Sequence, residues 1–155
     1  MQMQTSEPII RISVRDQRLD LVSGDAVLSS YPVSTSRFGL GSEEGSMKTP
    51  LGKFKIAEKI GAEMPSGTVF RSRIPLAPED APRPNDDLVL SRILWLDGLE
   101  EHNANTRDRF IYIHGTNHED EIGQPTSHGC IRMKNADLVA LFDEVPLGAE
   151  VVIET

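Results

Sequence analysis

The residues with the most chemical potential lie in one short stretch. All four histidines, His102, His114, His118 and His128, fall between positions 102 and 128, and the only cysteine, Cys130, follows. The densest piece reads Ser127-His128-Gly129-Cys130-Ile131-Arg132-Met133. A thiol beside glycine can occupy a sharp turn with its sulfur exposed, because Gly129 tolerates positive φ and close approach of a substrate backbone. The amides around Cys130 would then be placed to hold an oxyanion. His114 precedes Cys130 by 16 positions and opens the turn Gly115-Thr116-Asn117. The loop between carries Gly123 and Pro125, so it can fold back and bring imidazole to thiol.

That pairing suits acyl transfer. An ordinary cysteine is only a few per cent thiolate at neutral pH, and a histidine within reach can take its proton and later return one to a leaving amine. Such a base needs an orienting partner, which a carboxylate or a backbone carbonyl, for example that of Gly115, can supply. Two other readings use the same residues. A zinc site would combine His114 and His118 with His128 or Cys130, but the intervening residues are turn formers and a second cysteine is absent, so no metal and no cofactor is expected. A buried structural cysteine among solvated histidines is the other. His102 and His118 read as surface residues, and Glu119-Asp120-Glu121 as a solvated acidic loop.

The elements that must position these groups are mostly strands. Alternation in Ile9–Val14, Gln17–Val22 and Ala26–Ser34 predicts a three-stranded meander, with Arg15 and Asp16 in the first hairpin turn. Ser36–Thr49 is glycine-rich loop, Thr49-Pro50-Leu51-Gly52-Lys53 a turn, and Phe54-Lys55-Ile56 resumes a strand. Five prolines between positions 57 and 87 exclude a long helix there, leaving an irregular stretch that is either partly structured or a cover over a site. Within it Arg71, Arg73 and Arg83 could add positive charge. Strands are expected at Leu88–Leu96, Arg109–His114 and Ala149–Glu154. One helix is expected over Asn135–Val145, with Asn135 as N-cap candidate and Pro146 as stop.

The chain has 155 residues and a formal charge of −8. That length suits a single domain spanning residues 1–155, with residues 1–8 expected to be flexible. The acidity argues against nucleic acid or anionic lipid as partner, and no protein partner is evident. No run approaches the roughly 18 apolar residues of a membrane span, and no export leader is read at the N-terminus, so a cytoplasmic location is the expectation.

Taken together, His114-Gly115-Thr116-Asn117, Ile122-Gly123 and the Ser127–Met133 run resemble the active-site signature of the YkuD-type L,D-transpeptidase catalytic domain. Thr49-Pro50-Leu51-Gly52-Lys53-Phe54 resembles a turn of the same family. The resemblance implies a mainly β, sandwich-like domain acting on the tetrapeptide stem of peptidoglycan, whether polymerised or as a soluble muropeptide. It implies Cys130 as nucleophile, His114 as base, and the Gly115 carbonyl as the group orienting His114. His128 and Gly129 would shape the pocket, Ser127 would hold its loop, and Arg132 would meet a substrate carboxylate. The cysteine would attack the carbonyl of the third stem residue, releasing terminal D-alanine. An amine would resolve the thioester to a cross-link, or water to a tripeptide. With no leader read, hydrolysis of soluble muropeptides, an L,D-carboxypeptidase activity, is the expected outcome, with cross-linking as its alternative and a catalytically inactive peptide-binding module as the rival from another class.

Overall fold

The computed structural model describes residues 7–80 and 87–155. Expectations for residues 1–6, for 81–86 and for Arg83 therefore lie outside the described residues.

Strands dominate, and the helix sits near the C-terminus as the sequence implies. In β1 (Ile9–Ser13) and β2 (Arg18–Ser23), Ile10, Ile12, Leu19 and Leu21 point inward at 0–1% exposure while Arg11 and Arg18 point out, the period-2 signature of a half-buried sheet. Their turn passes through Gln17 at φ +47°. This buried side chain donates to the Val14 carbonyl and Thr35 Oγ1 and accepts from the Thr35 amide, so its polar atoms are paired. β3 (Ala26–Ser34) completes the meander.

Beyond the meander the pairing is non-local. β10 (Glu150–Glu154) inserts between β1, which it meets in parallel, and β4 (Gly52–Ile60). β3 meets β9 (Ile131–Met133), β9 meets β8 (Tyr112–Gly115) in parallel, and β8 meets β7 (Val89–Gly98). β7 then pairs with β4, so the two walls of the sandwich join in a closed ring. Phe54, Ile56, Leu94, Leu96, Ile113, Ile131, Met133 and Val151 fill its interior together with the meander residues.

Several expectations are corrected. The described part of the proline-rich stretch, residues 57–80, is partly structured: β4 runs on to Ile60, and β5 (Val69–Arg71) and β6 (Ile74–Pro75) form a hairpin paired to β7. The expected strand Arg109–His114 starts only at Tyr112. Arg109 N–H turns back to the Asn105 and Thr106 carbonyls, and Phe110 sits at φ +57°, outside the extended range of a regular strand. β9 was not foreseen at all.

The helix α1 (Asn135–Glu144) buries Leu138, Leu141 and Phe142 and packs on β7 and β8. Lys134, not Asn135, occupies its N-cap. Lys59 Nζ donates to the Phe142 and Val145 carbonyls, both at 2.7 Å, satisfying groups that a helix end leaves without intrahelical donors.

Candidate active site

The register of three neighbouring strands builds the site. Ile93 on β7 opposes His114 on β8, and His114 opposes Arg132 on β9. Two residues along, Trp95 opposes Tyr112, and Cys130 stands beside Tyr112, just before β9. Since Ile113, Ile131 and Met133 point into the core, alternation sends Tyr112, His114, Cys130 and Arg132 to the opposite face. Cys130 there joins a second apolar cluster with Phe70, Ile93, Tyr112 and Trp95.

Five of the seven residues singled out in the sequence, His114, Ser127, His128, Cys130 and Arg132, line one cavity of about 120 Å3 with Asp87 and Val89. The other two stand behind it. His114 Nδ1 lies 2.6 Å from the Gly115 carbonyl. A carbonyl only accepts, so Nδ1 carries the proton and Nε2 keeps its lone pair. Gly115 must be glycine, because a Cβ would strike Asn135 Oδ1 and the Leu90 carbonyl, the latter at 2.7 Å. Asn135 in turn locks this turn: its Nδ2 donates to the Thr116 carbonyl at 2.8 Å and its Oδ1 accepts from Ser91 Oγ at 2.6 Å. This side chain serves the turn after His114 rather than capping the helix. Glu119 is likewise not merely solvated, since it accepts from the Asn135 amide at 2.7 Å.

Gly129, at φ +123°, turns the chain before Cys130. Ser127 Oγ donates to the Cys130 carbonyl at 2.6 Å and accepts from Gly129 N–H at 3.3 Å. The Thr35 carbonyl takes the Ser127 amide, and Thr49 Oγ1 donates to the Gly129 carbonyl at 2.9 Å. Thr49 thus ties the Thr49–Lys53 turn to the cysteine loop, a link that sequence reading did not draw.

The thiol accepts a hydrogen bond from Tyr112 N–H and donates to the Phe110 carbonyl, each at 3.3 Å. Burial pushes the Cys130 thiol up to about 11, against the pull of Tyr112 N–H, Arg132 and Arg109. Burial also lowers His114 below its ordinary value, although the Gly115 carbonyl and Asp87 both favour its charged form. Both shifts favour thiol and imidazole over an ion pair. Such a site can transfer a proton during nucleophilic attack and store none beforehand.

Arg132 is 3% exposed, with NH2 held by Asp87 Oδ2 at 2.8 Å; Glu121 lies at 3.8 Å, and Nε is buried with no hydrogen-bond partner among the described residues. The same Asp87 oxygen meets His128 Nδ1 at 3.1 Å. Burial would raise Asp87, but Arg132 and then His128 outweigh it and hold the carboxyl below its usual range. Sequence reading missed Asp87, which follows a proline-rich tract without any pattern of its own. From the β5–β6 hairpin, Arg73 NH1 donates to Tyr112 Oη at 2.9 Å. Among the described residues no three His, Cys, Asp or Glu side chains gather as metal ligands would.

A closed, mainly β ring carrying thiol and imidazole on one outward face defines the class of protein in hand. Residues 7–153 match the YkuD family, the L,D-transpeptidase catalytic domain, and the chain belongs to that family. It is 28% identical over 144 residues to "Putative L,D-transpeptidase YkuD" of Bacillus subtilis, covering 93% of this chain and 64% of that protein. A shorter stretch of 48 residues is 48% identical to "Putative L,D-transpeptidase YqjB" of Bacillus subtilis, covering 31% of this chain and 27% of that one. Among solved structures, an L,D-transpeptidase from Mycobacterium smegmatis superposes with a TM-score of 0.65 at 17% identity, over 97% of this chain and 59% of that one. A second, from Xylanimonas cellulosilytica, gives 0.63 at 20% identity, over 99% and 63%. At these identities the structures speak for the fold. The chain spans less than two thirds of the length of each of these relatives.

Proposed function

We propose that the chain catalyses cysteine-dependent acyl transfer on the peptidoglycan stem peptide. His114 Nε2 takes the thiol proton as Cys130 Sγ attacks the carbonyl carbon of the third residue. The C–S bond forms, the C–N bond to the terminal D-alanine breaks, and the imidazolium returns the proton to the departing amine. An amine of a second stem then attacks the thioester, restoring the thiol. The Cys130 amide is our choice for the oxyanion donor, since Gly129 N–H already serves Ser127 Oγ. Arg132 would meet a substrate carboxylate only where Asp87 gives way.

One observation carries this reading: a buried imidazole, its Nδ1 proton committed to the Gly115 carbonyl, shares a cavity with the only thiol in the chain. An amine acceptor is supported by the names of the relatives, whereas the hydrolytic outcome drawn from the N-terminal sequence has no residue of the site behind it. The test is incubation with purified disaccharide tetrapeptide, read by mass spectrometry. A cross-linked dimer supports transfer. Tripeptide alone assigns water as acceptor and makes the protein an L,D-carboxypeptidase. Unchanged tetrapeptide, or turnover that survives Cys130→Ala, removes the proposal.

A further inference from the structure

An acidic chain that handles an anionic peptide needs a local cation, and the arginines around the thiol differ in what they have left to give. Arg132 is sealed against Asp87. Arg107 is paired with Glu58. Arg109 is held by the Gly41 and Lys48 carbonyls. Arg73 meets no carboxylate among the described residues. Its guanidinium lies 4.7 Å from the Trp95 ring centroid and 5.1 Å from that of Phe110, and its one hydrogen bond goes to the neutral Tyr112 hydroxyl. The two rings, 6.0 Å apart, lie together on one side of the guanidinium, and apart from the bond to Tyr112 its N–H donors meet no acceptor among the described residues.

Position and backbone point the same way. Tyr112 touches the sulfur with its backbone N–H and Arg73 with its hydroxyl, so cation and nucleophile stand at opposite ends of one tyrosine. Ser72 and Arg73 form the two-residue turn of the β5–β6 hairpin, both in the left-handed region at φ +50° and +67°. Asn-Gly is the ordinary choice for such a turn. An arginine there is not explained by the needs of the hairpin.

We propose that Arg73 is a specificity-determining residue that binds the terminal carboxylate of the donor peptide through the free edge of its guanidinium, on the shelf formed by Trp95, Phe110 and Tyr112. The assignment rests on the acyl-transfer reading for the identity of the donor, and the experiment separates the two.

Chloroacetyl-D-alanine and its carboxamide would be compared as alkylating agents of Cys130, followed by intact mass, with iodoacetamide as the reference in each variant. The chlorine leaves as chloride and a thioether forms, so no turnover is needed. The wild type should react about tenfold faster with the acid than with the amide, the worth of one charge-assisted contact. Arg73→Gln should bring the two rates together. Arg73→Gly should do the same while easing the turn, which guards against a folding artefact. Absence of preference in the wild type, or its survival in both variants, overturns the proposal even if tetrapeptide is processed. An acid preference that Arg73 controls, in a protein that leaves tetrapeptide untouched, keeps the anion site and removes only the stem peptide as its source.

Discussion

Two neighbouring rows across β7, β8 and β9 share one face and differ in almost everything else. The row of Ile93, His114 and Arg132 is closed: each side chain is buried, the imidazole is committed to the Gly115 carbonyl, and the guanidinium to Asp87. The row of Trp95, Tyr112 and Cys130 is partly open and is bordered by Arg73, which meets no carboxylate among the described residues. A base works best when its orientation is fixed before substrate arrives, while a nucleophile must be reached. The sheet meets both demands by setting them two residues apart along each strand, on the same face.

The comparison breaks most visibly at His114. His114→Ala should lower tetrapeptide turnover by more than about 100-fold, the usual cost of a lost general base, whereas Tyr112→Phe, which only unties Arg73, should cost less than about tenfold. Steady-state rates on tetrapeptide decide, and equal losses would erase the distinction between the rows. Next comes the support of the closed row. Gly115→Ala forces a Cβ against Asn135 and the Leu90 carbonyl, so a loss of about 1–3 kcal/mol is expected, seen as a melting point lower by about 2–10 °C.

Asp87→Asn should cost about 1–2 kcal/mol. A buried ion pair broken on one side would cost more, but Asp87 is 34% exposed and solvent screens the pair. Because its folded pKa is depressed, the stability Asp87 contributes is present above the ordinary carboxylate value and is lost as pH falls through the folded one. Acid unfolding curves should therefore converge for wild type and Asp87→Asn at low pH. Convergence absent, the ion pair contributes nothing.

The smallest effect sharpens the electrostatics of the open row. With the thiol raised from 9.0 to about 11, iodoacetamide alkylation should keep accelerating beyond pH 9. The folded state then holds a proton that the unfolded chain releases, so stability should decline as pH rises from about 9 to about 11, and Cys130→Ala should remove the thiol's share of that decline, the raised Tyr31 and Tyr112 hydroxyls keeping theirs. A plateau of alkylation below pH 8 would instead mean a thiolate–imidazolium pair at rest.

Much of this was legible in the sequence because it is local. Ile10 and Ile12, Leu19 and Leu21 announce their strands by alternation, and Leu138, Leu141 and Phe142 their helix by its 3.6-residue period. The motif residues His114, Ser127, His128, Cys130 and Arg132 could be assembled on paper and do line one cavity. What stayed hidden depends on distant partners. Ile131-Arg132-Met133 is too short to show a period, and it is a strand only because β3 and β8 flank it. Asp87 and Arg73 lie in a tract that local propensity marks only as proline-rich. Asn135 has a capping residue's chemistry, and tertiary contacts spent it elsewhere.

The parallel insertion of β10 beside β1 has a consequence in time. Arg11 and Glu154, 143 residues apart in the chain, meet across that pair, and the same inserted strand links β1 to β4. A ribosome makes about 5–20 residues each second, so β1 waits several seconds at least for the neighbour that completes it. During that wait the strand offers an unpaired edge bearing Ile10 and Ile12, a template for other chains. The ring can thus close only once Glu150–Glu154 has been made, and the edge of β1 is most exposed before that moment.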